Sequence, residues 1–207
     1  DWLVLGTGVV AGTGNSIANT LLGNTVANTF DGGAGADSIA GGDGNDSLLG
    51  GNGNDSIFGG TGSDTLLGED GNDTLLGEEG SNSLVGGAGA DSLVSSGSGT
   101  DTLLGGDGND TLLVGTALNW TVDGGANTDL LSFAGASVAL NNVALTNIEA
   151  VSFSQLTGNA AITLGGNSSG LSTITGGAGS DSITAANGFV NGLAYIAITL
   201  DGGEGGD

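Results

Sequence analysis

The sequence predicts an all-β parallel solenoid with almost no helix. Three observations carry this expectation. A nine-residue period runs through residues 32–113, glycine fills 46 of 207 positions, and the apolar runs are short, with no 3.6-residue stripe.

From Gly32 the chain reads GGAGADSIA, GGDGNDSLL, GGNGNDSIF, GGTGSDTLL, GEDGNDTLL, GEEGSNSLV and GGAGADSLV, then the ten-residue unit SSGSGTDTLL, then GGDGNDTLL to Leu113. Positions one to six of each unit are expected to form a turn, because glycine there permits positive φ and close backbone approach. Positions seven to nine are expected to form a short strand, with the Leu or Ile of position eight on the opposite side from its neighbours. Two nonapeptides make one coil, so like turns stack about 4.8 Å apart. The position-six carboxylates of repeats i and i+2 then lie close together and repel, and a bound divalent cation removes the repulsion.

Composition narrows the chemistry. The chain has 23 acidic residues, no Lys, Arg or His, and a formal charge of −23. A surface without cations cannot neutralise phosphates, so nucleic acid is not an expected partner, nor is an anionic lipid surface. With no His or Cys there is no ordinary zinc, haem or iron–sulfur ligand set, and the usual nucleophile–base pairs are missing. What remains is hard oxygen, which suits Ca²⁺. A Gly-rich polyanion reads as disorder by charge alone, but the chain is 37% hydrophobic and its hydrophobes are periodic. No run of 18 apolar residues spans a membrane, and no basic n-region opens this segment.

The run 32–113 resembles the RTX (repeats-in-toxin) nonapeptide family, whose pattern is G-G-x-G-x-D-x-U-x. The resemblance implies a calcium-stabilised parallel β-roll or β-helix. In that family calcium sits between turns i and i+2, held by the position-six Asp and main-chain carbonyls. Carried onto this chain, the acidic ligands are Asp37, Asp55, Asp73, Asp91 and Asp110 on one side, and Asp46, Asp64 and Asp101 with Asn82 on the other. The glycines of the turns are Gly33, Gly35, Gly42, Gly44, Gly51, Gly53, Gly60, Gly62, Gly71, Gly87, Gly89, Gly106 and Gly108. Five pairs keep Asp at both ends (37/55, 46/64, 55/73, 73/91 and 91/110), so at least five Ca²⁺ are expected. Three departures stand out. Glu69 and Glu78 replace the second glycine, the neutral Asn82 weakens its two pairs, and Gly97 reads as an inserted residue.

Residues 1–31 read as calcium-poor turns of the same solenoid, with Asn19 and Asn28 at the aspartate position. Stacked Asn side chains can hydrogen-bond neighbouring turns without an ion. Residues 114–207 read as a less regular solenoid. Isolated motif copies there add Asp129, Asp181 and, in the terminal Gly202–Asp207 turn, Asp207 as further candidate ligands. Between the copies, alternations such as Val138/Leu140, Val151/Phe153 and Ile162/Leu164 predict longer β-coils. The segments LTNIEAVSF and TGNAAITL are similar to stretches of RTX-bearing bacterial surface-layer proteins. Glu149, an isolated acid in apolar context, is expected at a strand end on the surface.

If position eight fills the core, position nine faces outward. Its Leu49, Phe58, Leu67, Leu76, Val85, Val94 and Leu104 are then candidate interface residues for self-association, unless other segments of the chain cover them. Both ends stop inside a repeat, which suggests one segment of a longer protein or fibre. The expected role is architectural and not enzymatic: part of a surface layer, adhesin stalk or fibre. A non-catalytic module of a secreted enzyme or toxin is the second reading. Calcium-dependent ice binding is the third, disfavoured by the irregular, acidic positions three and five. Sites of about 10⁻⁴–10⁻³ M affinity fill only outside the cell. The resemblance implies type I export and an extracellular or cell-surface location, in a Gram-negative bacterium or cyanobacterium.

Overall fold

A computed structural model describes residues 2–4, 6, 8, 10–115, 120–135, 138–143, 145–156, 158, 160–164, 171–177, 182–185 and 199–201. Every regular element among them is a β-strand, and every strand pair is parallel. Successive nonapeptides alternate between two sheets. Ser38–Asp43, Ser56–Thr61, Thr74–Glu79 and Ser92–Ser95 are consecutive strands of an eleven-stranded sheet. Thr29–Ala34, Ser47–Asn52, Thr65–Asp70, Ser83–Ala88 and Asp101–Asp107 belong to a seven-stranded sheet opposite. The seven-stranded sheet ends at Trp120–Ala126, and Val138–Val143, Ala160–Leu164 and Ser182–Ala185 form a third, three-stranded sheet.

The strands are longer than the sequence suggests. In the regular repeats most run six residues, from position seven of one unit to position three of the next, and only positions four to six turn. Position-two glycines at φ near +100°, such as Gly42 and Gly51, keep the chain extended enough to pair, so Gly42 pairs Gly60 and Asp43 pairs Thr61. Glu69 and Glu78 adopt the same left-handed region at φ 77° and 60° in place of glycine. The main-chain ladder also continues through the turns. The Gly53 N–H donates to the Asp70 carbonyl at 2.7 Å and the Ser56 N–H to the Asp37 carbonyl at 2.8 Å, which leaves few turn amides unpaired.

Register fixes what each side chain does. Position eight points inward, so Leu21, Phe30, Ile39, Leu48, Ile57, Leu66, Leu75, Leu84, Leu93, Leu103 and Leu112 form one continuous buried column. Position nine points outward, as expected, and pairs in register. Leu49, Leu67, Val85 and Leu104 line one face, with Asp31 and Asp123 at its two ends. Ala40, Phe58, Leu76, Val94 and Leu113 line the other, followed by Ser132 and Ser152. These outward apolar side chains are half-buried against one another along the ladder.

Coil length drifts along the chain. Ser38 pairs Ser56, eighteen residues on, whereas Ser83 pairs Thr102, nineteen on. The extra residue near Gly97 is absorbed in the turn, and both sheets continue. Leu130 then pairs Ala150 and Ala150 pairs Thr173, so the later coils are longer, as the strand alternations predicted. Leu66, wholly buried between Leu48 and Leu84 in register, tests the column. Leu66→Ala should cost about 2–5 kcal/mol in urea unfolding at saturating calcium. A loss under about 1 kcal/mol would contradict a packed inner column.

Candidate metal centre

Each turn places its position-six side chain by one recurring bond. The amide N–H of Asp37 donates to Asp55 Oδ1 at 2.7 Å, that of Asp55 to Asp73 at 2.8 Å and that of Asp73 to Asp91 at 2.8 Å. The row continues through Asp110 to Asp129, each bond 2.8 Å. On the other edge of the roll the Asp46 N–H donates to Asp64 Oδ1 and the Asp64 N–H to Asn82 Oδ1. Asn19 and Asn28 stand at the head of the two rows, donating to Asp37 and Asp46 at 2.7 Å. Their side-chain oxygens also bond within the turn, accepting from the N–H of Asn15 and Asn24.

One oxygen of each carboxylate is thus spent on the backbone of the preceding coil. The other, Oδ2, is buried without a hydrogen-bond partner in Asp37, Asp46, Asp55, Asp64, Asp73, Asp91, Asp110 and Asp129. These aspartates are at most 3% exposed. A cradle lies at each of these oxygens. A Cβ added to the position-one glycine, for instance Gly32, Gly41 or Gly68, would collide with the Oδ2 of its own turn, and lies against the carbonyl oxygen of the position-one glycine one coil on. A carboxylate oxygen and a main-chain carbonyl therefore face the same small space. No three acidic side chains converge among the described residues, so the negative charge is spread along the row. Buried anionic oxygen beside carbonyl oxygen is a donor set for a hard divalent cation, and leaving it bare is costly.

The two edges are not equivalent. The first carries unpartnered Asp oxygens from Asp37 to Asp129. Among the described residues the second carries them only at Asp46 and Asp64, and then changes chemistry. Asn82 brings an amide. Asp101 keeps its rung, accepting from the Asn82 N–H at 2.7 Å, but its Oδ2 accepts a short hydrogen bond from the Ser95 hydroxyl. Ser95 stands where other units have the position-one glycine. One coil on, Val114 pairs Ser95 and Trp120 pairs Asp101, and Val114 in turn pairs Phe133. Trp120 lies 5.7 Å from Phe133, which stacks on Phe153 at 5.1 Å. On this edge an aromatic core replaces the carboxylates.

Sequence reasoning placed Glu149 at a strand end, and it does precede the strand Ala150–Leu156. It is also the rung after Asp129, because Glu149 Oε2 accepts from the Asp129 N–H at 2.8 Å. No motif marks it; the only signal is its place twenty residues after Asp129. Asp181 and Asp207 lie outside the described residues.

Burial raises the carboxyl groups of Asp37, Asp46, Asp55, Asp64 and Asp110 above the ordinary 3.8. Asp73, Asp91 and Asp129 are pushed up to about 6, by burial first and by neighbouring carboxylates second. The bond from the preceding amide works the other way. These shifts belong to the calcium-free chain, where the proton is the only available counter-charge.

The fold and its turns define a calcium-binding β-roll. The RTX calcium-binding nonapeptide repeat model matches residues 13–48, 22–57, 49–84, 58–93, 95–116 and 168–189, more than half of the chain, and the protein belongs to that family. No curated protein and no solved structure matches it. The RTX β-roll is a structural calcium-binding module, not a catalytic one, and RTX repeat proteins are typically secreted. No helix among the described residues is long and apolar enough to cross a membrane.

The raised carboxyls set a pH response with a definite sign. A carboxyl held above its unfolded value contributes stability that is complete below about pH 3.8 and lost as pH rises through about 6. In EGTA, lowering the pH from 7.5 to 5 should therefore increase the β-signal in circular dichroism, and calcium affinity should fall over the same interval. An EGTA-treated chain that loses β-signal on mild acidification would contradict this.

Proposed function

We propose that this chain is an extracellular architectural segment whose turns take up calcium between coils and fold as they do so. The observation that carries the reading is the set of eight buried, unpartnered Asp Oδ2 atoms, each beside a main-chain carbonyl cradle. Their owners are the proposed ligands, with the position-one carbonyls of Gly50, Gly59, Gly68, Gly77 and their equivalents. Asp101 is the weakest candidate, because Ser95 already satisfies its Oδ2. The aspartate rows are like-charged, and the chain has no basic side chain to offset them. Calcium at extracellular concentration is then the counter-charge that makes the stack favourable.

The architectural role, in a surface layer, adhesin stalk or fibre, is supported by the outward ladders. Leu49, Leu67, Val85 and Leu104 on one face, and Phe58, Leu76 and Val94 on the other, are aligned in register and suited to side-by-side association. A non-catalytic module within a longer secreted protein would share the calcium chemistry but not the lateral assembly.

Excess EGTA at pH 7.5 should abolish most of the β-signal, and millimolar calcium should restore it. A spectrum indifferent to EGTA would refute calcium-coupled folding. Electron micrographs in millimolar calcium should show filaments or lattice; dispersed single rolls would favour the module reading. Asp55→Ala should release at least about one calcium per chain by equilibrium dialysis, and Asp101→Ala none, because only Asp55 has an unpartnered oxygen. Equal losses would overturn that ranking.

A further inference from the structure

The longer carboxylate row ends on a coil that carries no nonapeptide. The family match leaves residues 117–167 uncovered, yet Asp129 has every feature of a regular rung. It is 1% exposed, its Oδ1 accepts from the Asp110 N–H at 2.8 Å, and its Oδ2 is unpartnered. In a regular coil the next turn supplies a position-one glycine carbonyl and, five residues later, a position-six carboxylate. The coil after Asp129 has neither motif residue and supplies both groups. A Cβ on Gly124 would collide with the Asn147 carbonyl oxygen and stand 2.5 Å from Asp129 Oδ2, the same cradle that Gly105 makes with the Gly124 carbonyl and Asp110 Oδ2. Glu149 brings the carboxylate, accepting from the Asp129 N–H at 2.8 Å.

Carbonyl and carboxylate are here only two residues apart. Two features allow the shorter turn. Asn147 takes φ +47°, and its side-chain amide donates to Asp123 Oδ1 at 2.8 Å, which also accepts from the Gly125 N–H at 3.2 Å. This pins the loop so that the Asn147 carbonyl faces the Gly124 cradle. Glutamate, one methylene longer than aspartate, then reaches the rung from a displaced backbone.

We propose that Asp129, Asn147 and Glu149 form a divalent-cation site whose second coil lies outside the nonapeptide motif. Asp129 Oδ2 and the Asn147 carbonyl bind the ion, and Glu149 supplies the second carboxylate charge, as Asp55 does for Asp37. The proposal rests on the calcium reading of the turns, and the experiment separates the two.

Calcium stoichiometry of the full chain is measured by native mass spectrometry and equilibrium dialysis for wild type, Glu149→Gln, Asp129→Asn and the double variant. Both amides are isosteric and keep an oxygen for the backbone bond while removing the charge. Glu149→Gln should lose one ion, or bind it at least about tenfold more weakly, and Asp129→Asn should lose that ion and also weaken the one at Asp110, to which Asp129 supplies the second carboxylate. The double variant should lose no more than Asp129→Asn alone, and the β-signal in calcium should persist. Glu79→Gln, which removes an exposed charge elsewhere, should leave the count unchanged. Full stoichiometry at wild-type affinity in Glu149→Gln would overturn the site, as would a double variant that loses more ions than Asp129→Asn or an equal loss in Glu79→Gln. If one variant fails to fold, the other decides by the same criterion. A wild-type chain that binds no calcium would defeat the calcium reading itself, whereas calcium binding indifferent to Glu149 defeats only this site.

Discussion

The structure depends on one bond repeated along an edge: a position-six amide N–H donating to the carboxylate one coil further on. It divides the two oxygens of each aspartate. Oδ1 fastens successive coils, and Oδ2 is left in a dry cradle beside a main-chain carbonyl. The bond alone cannot stabilise the stack, because it holds carboxylates in register with others of the same charge. A divalent cation at Oδ2 would resolve that conflict, and the proposed coupling of coil stacking to ion binding rests on it. The six-residue strands follow from the same arrangement, since turns pinned so tightly need only positions four to six.

The two edges answer the conflict differently. One runs ionic from Asp37 to Asp129. The other, among the described residues, has unpartnered carboxylate oxygens only at Asp46 and Asp64, then passes through the amide of Asn82 and the Ser95–Asp101 bond to the aromatic stack of Trp120, Phe133 and Phe153. A solenoid tolerates such a change because each coil contacts only its neighbours, so stability is a sum of local terms. On the proposed reading, removing calcium strikes the edges unequally: at the aromatic end of the second edge apolar side chains stand in place of carboxylates, whereas the first edge keeps its carboxylates through Asp129.

The outer faces carry a second pattern that the ions do not explain. Aliphatic side chains pair in register across four successive strands on one face, and Asp31 and Asp123 bound that run. Charge at each end of an apolar strip would limit how far one roll could slide along another in the lateral association proposed for it.

Much of this was legible in the chain itself. The nine-residue period determined the β-roll, the inward column at position eight, the outward ladder at position nine and the two rows of aspartates. A strand's side chains alternate by geometry, and identical coils must stack like on like. The absence of every cationic side chain determined that the counter-charge must come from outside. The sequence did not determine which oxygens remain unpartnered. Asp55 and Asp101 occupy the same motif position, and only the packed turn shows that Ser95, displaced by one inserted residue, satisfies Asp101 and leaves the oxygen of Asp55 bare. Nor did it determine that Glu149 continues the row, since a twenty-residue coil and a contracted turn break the period by which rungs are recognised. Those outcomes belong to tertiary structure for one reason. Burial and hydrogen-bond satisfaction depend on what lies one coil away, and the distance along the chain to that neighbour changes from eighteen to nineteen to twenty residues as the roll proceeds.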